Sequence, residues 1–178
     1  MSNQLQSKSV LHPDIESLLQ AQIQKENKSS NVYLSMATWC DVNSYEGSAS
    51  FLYKQAEEER AHMLKIMRYL IEKEAKVHVP GVEQINTGYP SLYKIFEKVL
   101  YKEKEITQSI HHIVTHSLQH QDYATFDFLQ WFVHEQREEE YQANSIMGYF
   151  EVIPQDGVGL HIIDQKIGEL TQKELPLA

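Results

Sequence analysis

The chain is 178 residues long with a net charge of −9 and a single cysteine, Cys40, which suits one domain, residues 1–178, with a sizeable core and no intrachain disulfide. The acidic balance argues against nucleic-acid binding, which leaves a basic patch, and no run of residues approaches the roughly 18 apolar residues of a membrane span. The lone cysteine, with the lack of an apolar signal region in residues 1–8, predicts a reducing, cytoplasmic location.

Prolines and glycines divide the chain into five segments that carry the apolar period of an α-helix. The predicted helices run from Pro13 to Asp41, from Glu46 to Glu74, from Ser91 to Leu118, from Asp122 to Phe150 and, shorter, from Gly157 to Gln172. No segment alternates as a strand does. The four long helices are each roughly 42 Å long at a rise of about 1.5 Å per residue, and helices of that length pack side by side as a bundle.

The lengths of the connections predict the topology of this bundle. Only a few residues join the first helix to the second and the third to the fourth, so each pair must be antiparallel. The segment from Ala75 to Pro90 can run the full length of the bundle at about 3.3 Å per extended residue. The expected fold is therefore an all-α four-helix bundle, about residues 13–150, with one long crossover and a short fifth helix, about 157–172. A disordered linker is the alternative interpretation of the crossover.

The most informative pair of residues is Glu59 and His62, which lie three residues apart and so on one face of the second helix. A carboxylate and an imidazole that converge in this way can hold a metal ion. The pair interrupts an otherwise apolar seam, and a buried carboxylate needs a partner that compensates its charge. The spacing alone is weak evidence, because a buried histidine is more often a hydrogen-bonded core residue.

Three more glutamates, Glu26, Glu103 and Glu139, interrupt the seams of the other long helices near their midpoints. Mid-helix levels coincide whichever way a helix runs, so the four glutamates, with His62 and Gln136, should meet inside the core. Such a cluster of negative charge is unfavourable unless a metal neutralises it. Carboxylates with one imidazole suit iron, manganese or zinc, and their number favours a bridged pair of metal ions. The alternative is a buried polar layer satisfied by hydrogen bonds and water.

Over nearly its whole length the sequence resembles the bacterial non-haem ferritins. The matching stretches are Glu26 to Tyr33, Glu46 through Met63, Tyr101 to Glu103, and Gln119 through Glu140. The resemblance implies a ferritin-like shell of twenty-four identical subunits that oxidises Fe(II) with dioxygen or hydrogen peroxide and stores a ferric mineral. It also implies that the fifth helix, too short to stand alone, packs with copies of itself around a four-fold axis.

By position, the resemblance implies two iron sites that share Glu59. One iron would take Glu26, Glu59 and His62, and the other Glu59, Glu103 and Glu139, with Gln136 beside it. It further implies a third iron site at Glu58, Glu135, Glu138 and Glu139. The alternative is a solvated helix face, which is the usual role of a run of glutamates. Both interpretations can hold where the helix face lines a water-filled cavity, because acidic charge there attracts iron.

Two aromatic residues lie within these stretches. Tyr33 follows Glu26 by seven residues and so shares its helix face. In the family the matching tyrosine lies next to the two irons and can supply an electron when oxygen is reduced. Core packing is the alternative for Tyr33, and packing is the preferred interpretation for Trp131.

A column of histidines ends the third helix. His112, His116 and His120 repeat every four residues, a geometry that can bind zinc or copper. Their neighbours are polar, and no carboxylate lies on the same helix face at the four-residue spacing of these histidines. We therefore favour an exposed stripe, with a role near a subunit junction as the alternative.

Related families differ from this chain in specific motifs. Bacterioferritin uses Glu-x-x-His on both metal-bearing helix pairs, whereas the fourth helix here reads Gln136 to Glu139 with no histidine three residues after a ligand glutamate, so no haem is expected. Spacing alone leaves Met36, Met63 and Met67 open as haem ligands. A rubrerythrin-like peroxidase needs a Cys-x-x-Cys module, which a chain with one cysteine does not contain. Mini-ferritins build their centre between subunits, whereas all the ligands expected here fall within one bundle. A non-catalytic shell subunit would lack the buried ligands, all of which are present here.

Overall fold

The computed structural model describes residues 9–81 and 83–171. Within those ranges it has five α-helices and no strand: α1 Pro13–Val42, α2 Glu46–Glu72, α3 Leu92–Gln119, α4 Tyr123–Val152 and α5 Gly157–Leu170. The predicted all-α architecture is confirmed, with helix ends that differ from the predicted ones by one or two residues. None of the described helices has the length and apolar character to cross a membrane. The segment 1–8 and residue 172, both used in the sequence analysis, lie outside the described residues.

Side-chain caps determine where the third and fourth helices begin. The Ser91 hydroxyl accepts a hydrogen bond from the Lys94 N–H at 3.2 Å, and the Asp122 carboxylate accepts one from the Thr125 N–H at 3.0 Å. Each bond satisfies an N–H group that the first helical turn leaves without a partner. Ser91 and Asp122 are thus caps, and the helices begin one residue later than predicted.

Left-handed residues end three of the helices. Glu74 has a φ of 55°, which a right-handed helix does not tolerate, so α2 ends at Glu72 rather than at the predicted Glu74. Ser44 and Gln121, with φ of 62° and 56°, turn the chain after α1 and α3. These short turns make α1 antiparallel to α2, and α3 antiparallel to α4.

Contacts between α1 and α3 establish the direction of the remaining pair. Tyr33 contacts Glu103, while Gln22, farther back on α1, contacts Ser109, farther along α3. Residue numbers fall on one helix as they rise on the other, so α1 and α3 are antiparallel. Since α1 is antiparallel to both, α2 and α3 are parallel, as predicted.

The crossover between α2 and α3 lies along α1. The Gln20 side chain donates to the Lys76 carbonyl at 2.7 Å, and the Ser35 hydroxyl donates to the Asn86 carbonyl at 2.7 Å. Because residues 20 and 35 are four turns apart on α1, the segment follows that helix for much of its length. The described residues of the crossover, 75–81 and 83–90, thus lie along the bundle and contact α1, as the long-crossover prediction requires and the linker interpretation does not.

The apolar core is divided into two clusters. One contains Val32, Ala56, Val99 and Ala143, and extends to Ile163 and Ile167 of α5; the other contains Ile23, Met63, Ile106 and Phe132. On every long helix the stretch between the two clusters holds a buried glutamate. We call this level the polar layer, which consists of Glu26, Glu59, His62, Glu103, Gln136 and Glu139.

Candidate metal centre

One glutamate from each long helix reaches the polar layer. The exposed fraction is 0% for Glu26, 1% for Glu59, 1% for Glu103 and 7% for Glu139. His62, one turn after Glu59, is also buried. The structure therefore brings together the side chains that the mid-helix argument placed at one level.

These side chains form two overlapping groups of possible metal ligands. In the first group, one donor atom each from Glu26, Glu59 and His62 lie within 4.8 Å of one another. In the second, the same holds for Glu59, Glu103 and Glu139. Glu59 belongs to both groups, so a carboxylate of α2 can bridge two ions, each with three protein ligands.

Hydrogen bonds satisfy this layer only in part. Oε2 of Glu26, both carboxylate oxygens of Glu59 and Oε2 of Glu139 are buried without a hydrogen-bond donor among the described residues. Leaving such oxygens unpaired in a core is costly, and few native proteins do so without a reason. Four carboxylate oxygens without a protein donor, lying within two ligand groups, are the arrangement that a bound cation would satisfy.

Burial also changes the acidity of these carboxyl groups. Removal from water raises the pKa of Glu26, and it raises the pKa of Glu59 and Glu139 well above the usual value. For Glu59 the nearby charge of Glu26 adds to this effect, and for Glu139 the charge of Glu103 does. The raised pKa disfavours the charged form of these carboxyl groups, whereas a bound cation favours it.

His62 is held ready to coordinate a metal. Burial, with a further contribution from Lys65, lowers the pKa of the imidazole to about 4, so at neutral pH the ring is uncharged and has a free lone pair. Nδ1 lies 3.8 Å from Oε2 of Glu59. Trp131 and Phe132 pack edge-on against the ring at centroid distances of 5.3 and 5.9 Å. Trp131 thus has the packing role predicted for it, and Nδ1 faces the first ligand group.

Glu103 is oriented by two hydrogen bonds. The Tyr33 hydroxyl donates to one carboxylate oxygen, and the Gln136 amide donates to the other at 3.2 Å. Burial, followed by the charge of Glu103, raises the pKa of Tyr33 well above its usual value, so the phenol keeps its proton. Gln136 lies beside the second ligand group and contacts Glu103.

One residue of the site, Gln22, was not identified from the sequence. Its amide donates to Oε1 of Glu26 at 2.8 Å, and its own oxygen accepts a hydrogen bond from Ser109 of α3 at 2.6 Å. Lys25 in turn donates to the Ser109 hydroxyl at 2.6 Å. The available signal was the position of Gln22 in the apolar seam, one helical turn before Glu26.

The residues expected at a third iron site are only partly assembled. Glu135 forms a group with Glu139 and His62, whose donor atoms lie within 4.8 Å of one another. Glu58 instead accepts a hydrogen bond from Gln55 at 2.6 Å and lies 3.5 Å from Lys54. Within residues 9–81 and 83–171, neither Glu58 nor Glu138 belongs to a group of three close donors.

The histidine column is interrupted at its end. His112 is exposed and His116 is partly exposed, in agreement with the predicted exposed stripe. The centroids of their rings lie 4.3 Å apart. His120 lies just beyond the end of α3 and stacks on His12 at a centroid distance of 3.6 Å. The three histidines therefore do not form one site.

Comparison with known proteins gives consistent matches. Residues 16–153 match the family described as the ferritin-like domain. The chain is 42% identical over 158 residues to a bacterial non-heme ferritin of Campylobacter jejuni, covering 89% of this chain and 95% of that protein. It is 35% identical over 161 residues to the bacterial non-heme ferritin of an Escherichia coli strain, covering 90% and 98%. An open-pore ferritin of the archaeon Archaeoglobus fulgidus has a TM-score of 0.85 at 32% identity and covers 89% of this chain and 98% of its own.

Proposed function

Because the chain belongs to the ferritin family, as a bacterial non-haem ferritin that oxidises Fe(II) and stores the product in an oligomeric shell, we propose that the polar layer is its di-iron ferroxidase centre. The observation that carries this proposal is the set of four buried, unpaired carboxylate oxygens on Glu26, Glu59 and Glu139. They lie in two ligand groups that share Glu59. Two Fe(II) ions, as substrate, would supply the missing positive charge.

The ligand groups suggest a role for each residue. One Fe(II) binds Glu26, Glu59 and Nδ1 of His62; the other binds Glu59, Glu103 and Glu139, with Gln136 beside it. Three protein ligands leave open positions on each ion for the oxidant. Binding of the two cations stabilises the charged form of the buried carboxyl groups, which their raised pKa otherwise disfavours. The two ions then each give one electron to dioxygen or hydrogen peroxide.

Tyr33 is positioned to take part in this reaction. It is fully buried and donates its hydroxyl hydrogen to Glu103, a ligand of the second iron. Its raised pKa keeps the phenol protonated, so it reaches the oxidised form only by losing an electron together with its proton. We assign Tyr33 as a further electron donor.

Assembly and storage complete the proposed function. We propose that residues 1–178 form one ferritin-like domain and that twenty-four copies form the shell. On α5, Val158 and Ile162 are one turn apart and 72% and 39% exposed, so this helix offers an apolar face to other copies. Glu58, Glu135 and Glu138 would line a third iron site with Glu139 on the path to the mineral. The single buried Cys40 favours a cytoplasmic location.

Haem binding is disfavoured by the placement of the methionines. Met36 is 0% exposed and Met63 6%, and both lie inside the apolar clusters of the subunit. A methionine that binds haem between subunits has to reach the subunit surface. Met67 is only partly buried, so the variant Met67→Leu tests whether this methionine binds haem.

Stopped-flow oxidation of Fe(II) tests the ferroxidase assignment. The apoprotein is titrated anaerobically with Fe(II) and mixed with oxygen, and wild type is compared with Glu59→Gln and with Glu57→Gln, an exposed glutamate of the same helix. We expect Glu59→Gln to bind less Fe(II) and to lose the fast oxidation phase, while Glu57→Gln behaves as wild type. Equal rates in all three proteins would instead indicate a passive shell subunit.

A further inference from the structure

A second group of potential metal ligands lies at one end of the bundle, away from the polar layer. His12 precedes the first residue of α1, Asp14 is in its first turn, and His120 follows the last residue of α3. Residues that are more than one hundred positions apart in sequence thus meet where α1 begins and where the chain turns from α3 into α4.

The spacing of the donor atoms is close to that of a tetrahedral metal site. Oδ2 of Asp14 lies 3.6 Å from Nδ1 of His12 and 3.8 Å from Nε2 of His120. One donor atom from each of the three residues lies within 4.8 Å of the others. An ion bound tetrahedrally at about 2.0–2.1 Å keeps its donor atoms roughly 3.3 Å apart. Side-chain rotations that turn the two imidazole rings out of their parallel stacking would bring the donor atoms to this spacing.

The Nδ1 atom of His12 offers a lone pair on the side of Asp14. It accepts a weak hydrogen bond from the Asp14 N–H at 3.3 Å, and a bound ion would replace this capping bond. The same nitrogen faces the Asp14 carboxylate. The two imidazole rings stack with an interplanar angle of 19°, which places His120 next to His12. Because each lone pair lies in its ring plane, the rings must turn out of this stacking to direct both nitrogens at one ion.

Solvent has access to this group. The exposed fractions of the side chains are 43% for His12, 64% for Asp14 and 30% for His120. An ion can reach the site directly, and a water molecule can take the fourth position.

We propose that His12, Asp14 and His120 bind a divalent ion of the zinc class. Two imidazoles and one carboxylate are a nitrogen-rich ligand set that suits zinc or copper(II), whereas the polar layer offers one imidazole among carboxylates. The bound ion ties the first turn of α1 to the turn between α3 and α4. This site is independent of the proposed ferroxidase centre, and each can fail without the other.

Zinc stoichiometry is the first test of the site. The purified, assembled apoprotein is dialysed against Zn(II), and bound zinc is measured for wild type, His120→Gln, Asp14→Asn and the control His116→Gln, which changes a histidine of the same helix outside the group. We expect His120→Gln and Asp14→Asn each to hold one zinc ion fewer per chain than wild type and His116→Gln. Equal zinc content in all four proteins would overturn the proposal.

Copper(II) provides a second readout that separates this site from the buried one. Electron paramagnetic resonance of apoprotein with one equivalent of Cu(II) should show coupling to two imidazole nitrogens in wild type and to one in His120→Gln. Coupling to a single nitrogen in wild type contradicts the proposal, because the polar layer contains only His62. An unchanged rate of Fe(II) oxidation in His120→Gln shows that the variant is folded and assembled.

Discussion

The carboxylate of Asp164, on α5, caps the N-terminus of α2 by accepting a hydrogen bond from the Ser48 N–H at 2.7 Å. Its other oxygen accepts one from the Gly47 N–H at 3.0 Å. Tyr45, the N-cap residue of α2, makes no side-chain capping bond of its own. A residue more than one hundred positions away thus supplies the cap, and its negative charge lies at the positive end of the helix dipole.

Removal of this cap should detach α5 before it affects the rest of the bundle. We expect Asp164→Ala to lower the free energy of unfolding by about 1–2 kcal/mol, the usual cost of a lost N-cap. Hydrogen exchange followed by mass spectrometry should show faster exchange in residues 157–170. Gln165→Ala, an exposed neighbour, is the control; similar exchange in both variants would show that the cap does not hold α5.

Two helical glycines, Gly47 of α2 and Gly148 of α4, should respond oppositely to replacement by alanine. A Cβ on Gly47 would lie 2.2 Å from the Asp164 carbonyl oxygen, so α2 and α5 must separate. A Cβ on Gly148 of α4 would meet no atom within 4 Å. We expect Gly47→Ala to destabilise the protein by about 1–3 kcal/mol and Gly148→Ala to stabilise it by about 0.5–1 kcal/mol. Thermal unfolding at equal protein concentration measures both, and the same sign for both would contradict this account.

The four long helices and the level of the buried glutamates were predictable because they depend on periodicity and helix length alone. Helix ends were less predictable, since Ser91 acts as a cap and Glu74 adopts a left-handed conformation, and these are local choices that the apolar period does not encode. The partner of His120 was missed because it is His12, which precedes α1 and meets His120 only through the packing of the bundle ends. Beyond Gln119, where α3 ends, the four-residue spacing of the histidines no longer defines a common face.

Tertiary partners of polar residues were the other part that could not be predicted. Gln22 was part of a predicted seam, but its bond to Ser109 depends on which helix lies beside α1. The cap that Asp164 provides to α2 depends in the same way on where α5 docks. A single sequence gives the face on which a side chain lies but not the atom that it meets.

The apoprotein should lose stability as the pH rises through the raised pKa values of its buried carboxyl groups. Carboxyl groups with a raised pKa, such as Glu59, contribute stability that is complete below their usual pKa of 4.5 and is lost as the pH rises through the raised value. The lowered pKa of His62 has the opposite effect: its contribution is present above 6.5 and is lost as the pH falls through about 4.

Thermal unfolding of metal-free protein between about pH 5 and about pH 8 separates these effects. We expect the melting temperature of Glu59→Gln to fall less over this range than that of wild type, because the variant has one buried acid fewer. Glu57→Gln should follow wild type. Parallel curves for wild type and Glu59→Gln would show that Glu59 does not titrate with a raised pKa.

Loss of the Tyr33 hydroxyl should affect electron transfer more than iron binding. In Tyr33→Phe the ring remains packed in the core, but Glu103 loses one hydrogen-bond donor. We expect the same number of Fe(II) ions bound per chain, and no tyrosyl radical in samples frozen shortly after mixing with oxygen. Tyr101→Phe, at a tyrosine that is 62% exposed on α3, should keep the radical. A radical of equal intensity in Tyr33→Phe would assign the electron donor elsewhere.

Gln22 should determine the affinity for Fe(II) of the first ligand group, which contains Glu26. Its amide is the hydrogen-bond donor that orients Glu26, and Ser109 fixes the amide in turn. Replacement of a residue that orients a metal ligand typically weakens metal binding by about 10–100-fold. We expect a loss of this size in Gln22→Leu, measured by anaerobic calorimetry with Fe(II). Gln24→Leu, an exposed glutamine of the same helix, should bind Fe(II) as wild type does.

The Gln22 variant also distinguishes orientation from charge. Leucine leaves the charge of Glu26 unchanged and removes only the hydrogen bond that holds one of its oxygens. The first ligand group should therefore weaken, while the second group, with Glu103 and Glu139, keeps its affinity. Equal weakening of both Fe(II) ions would mean that Gln22 supports the packing of α1 against α3 rather than the position of one carboxylate.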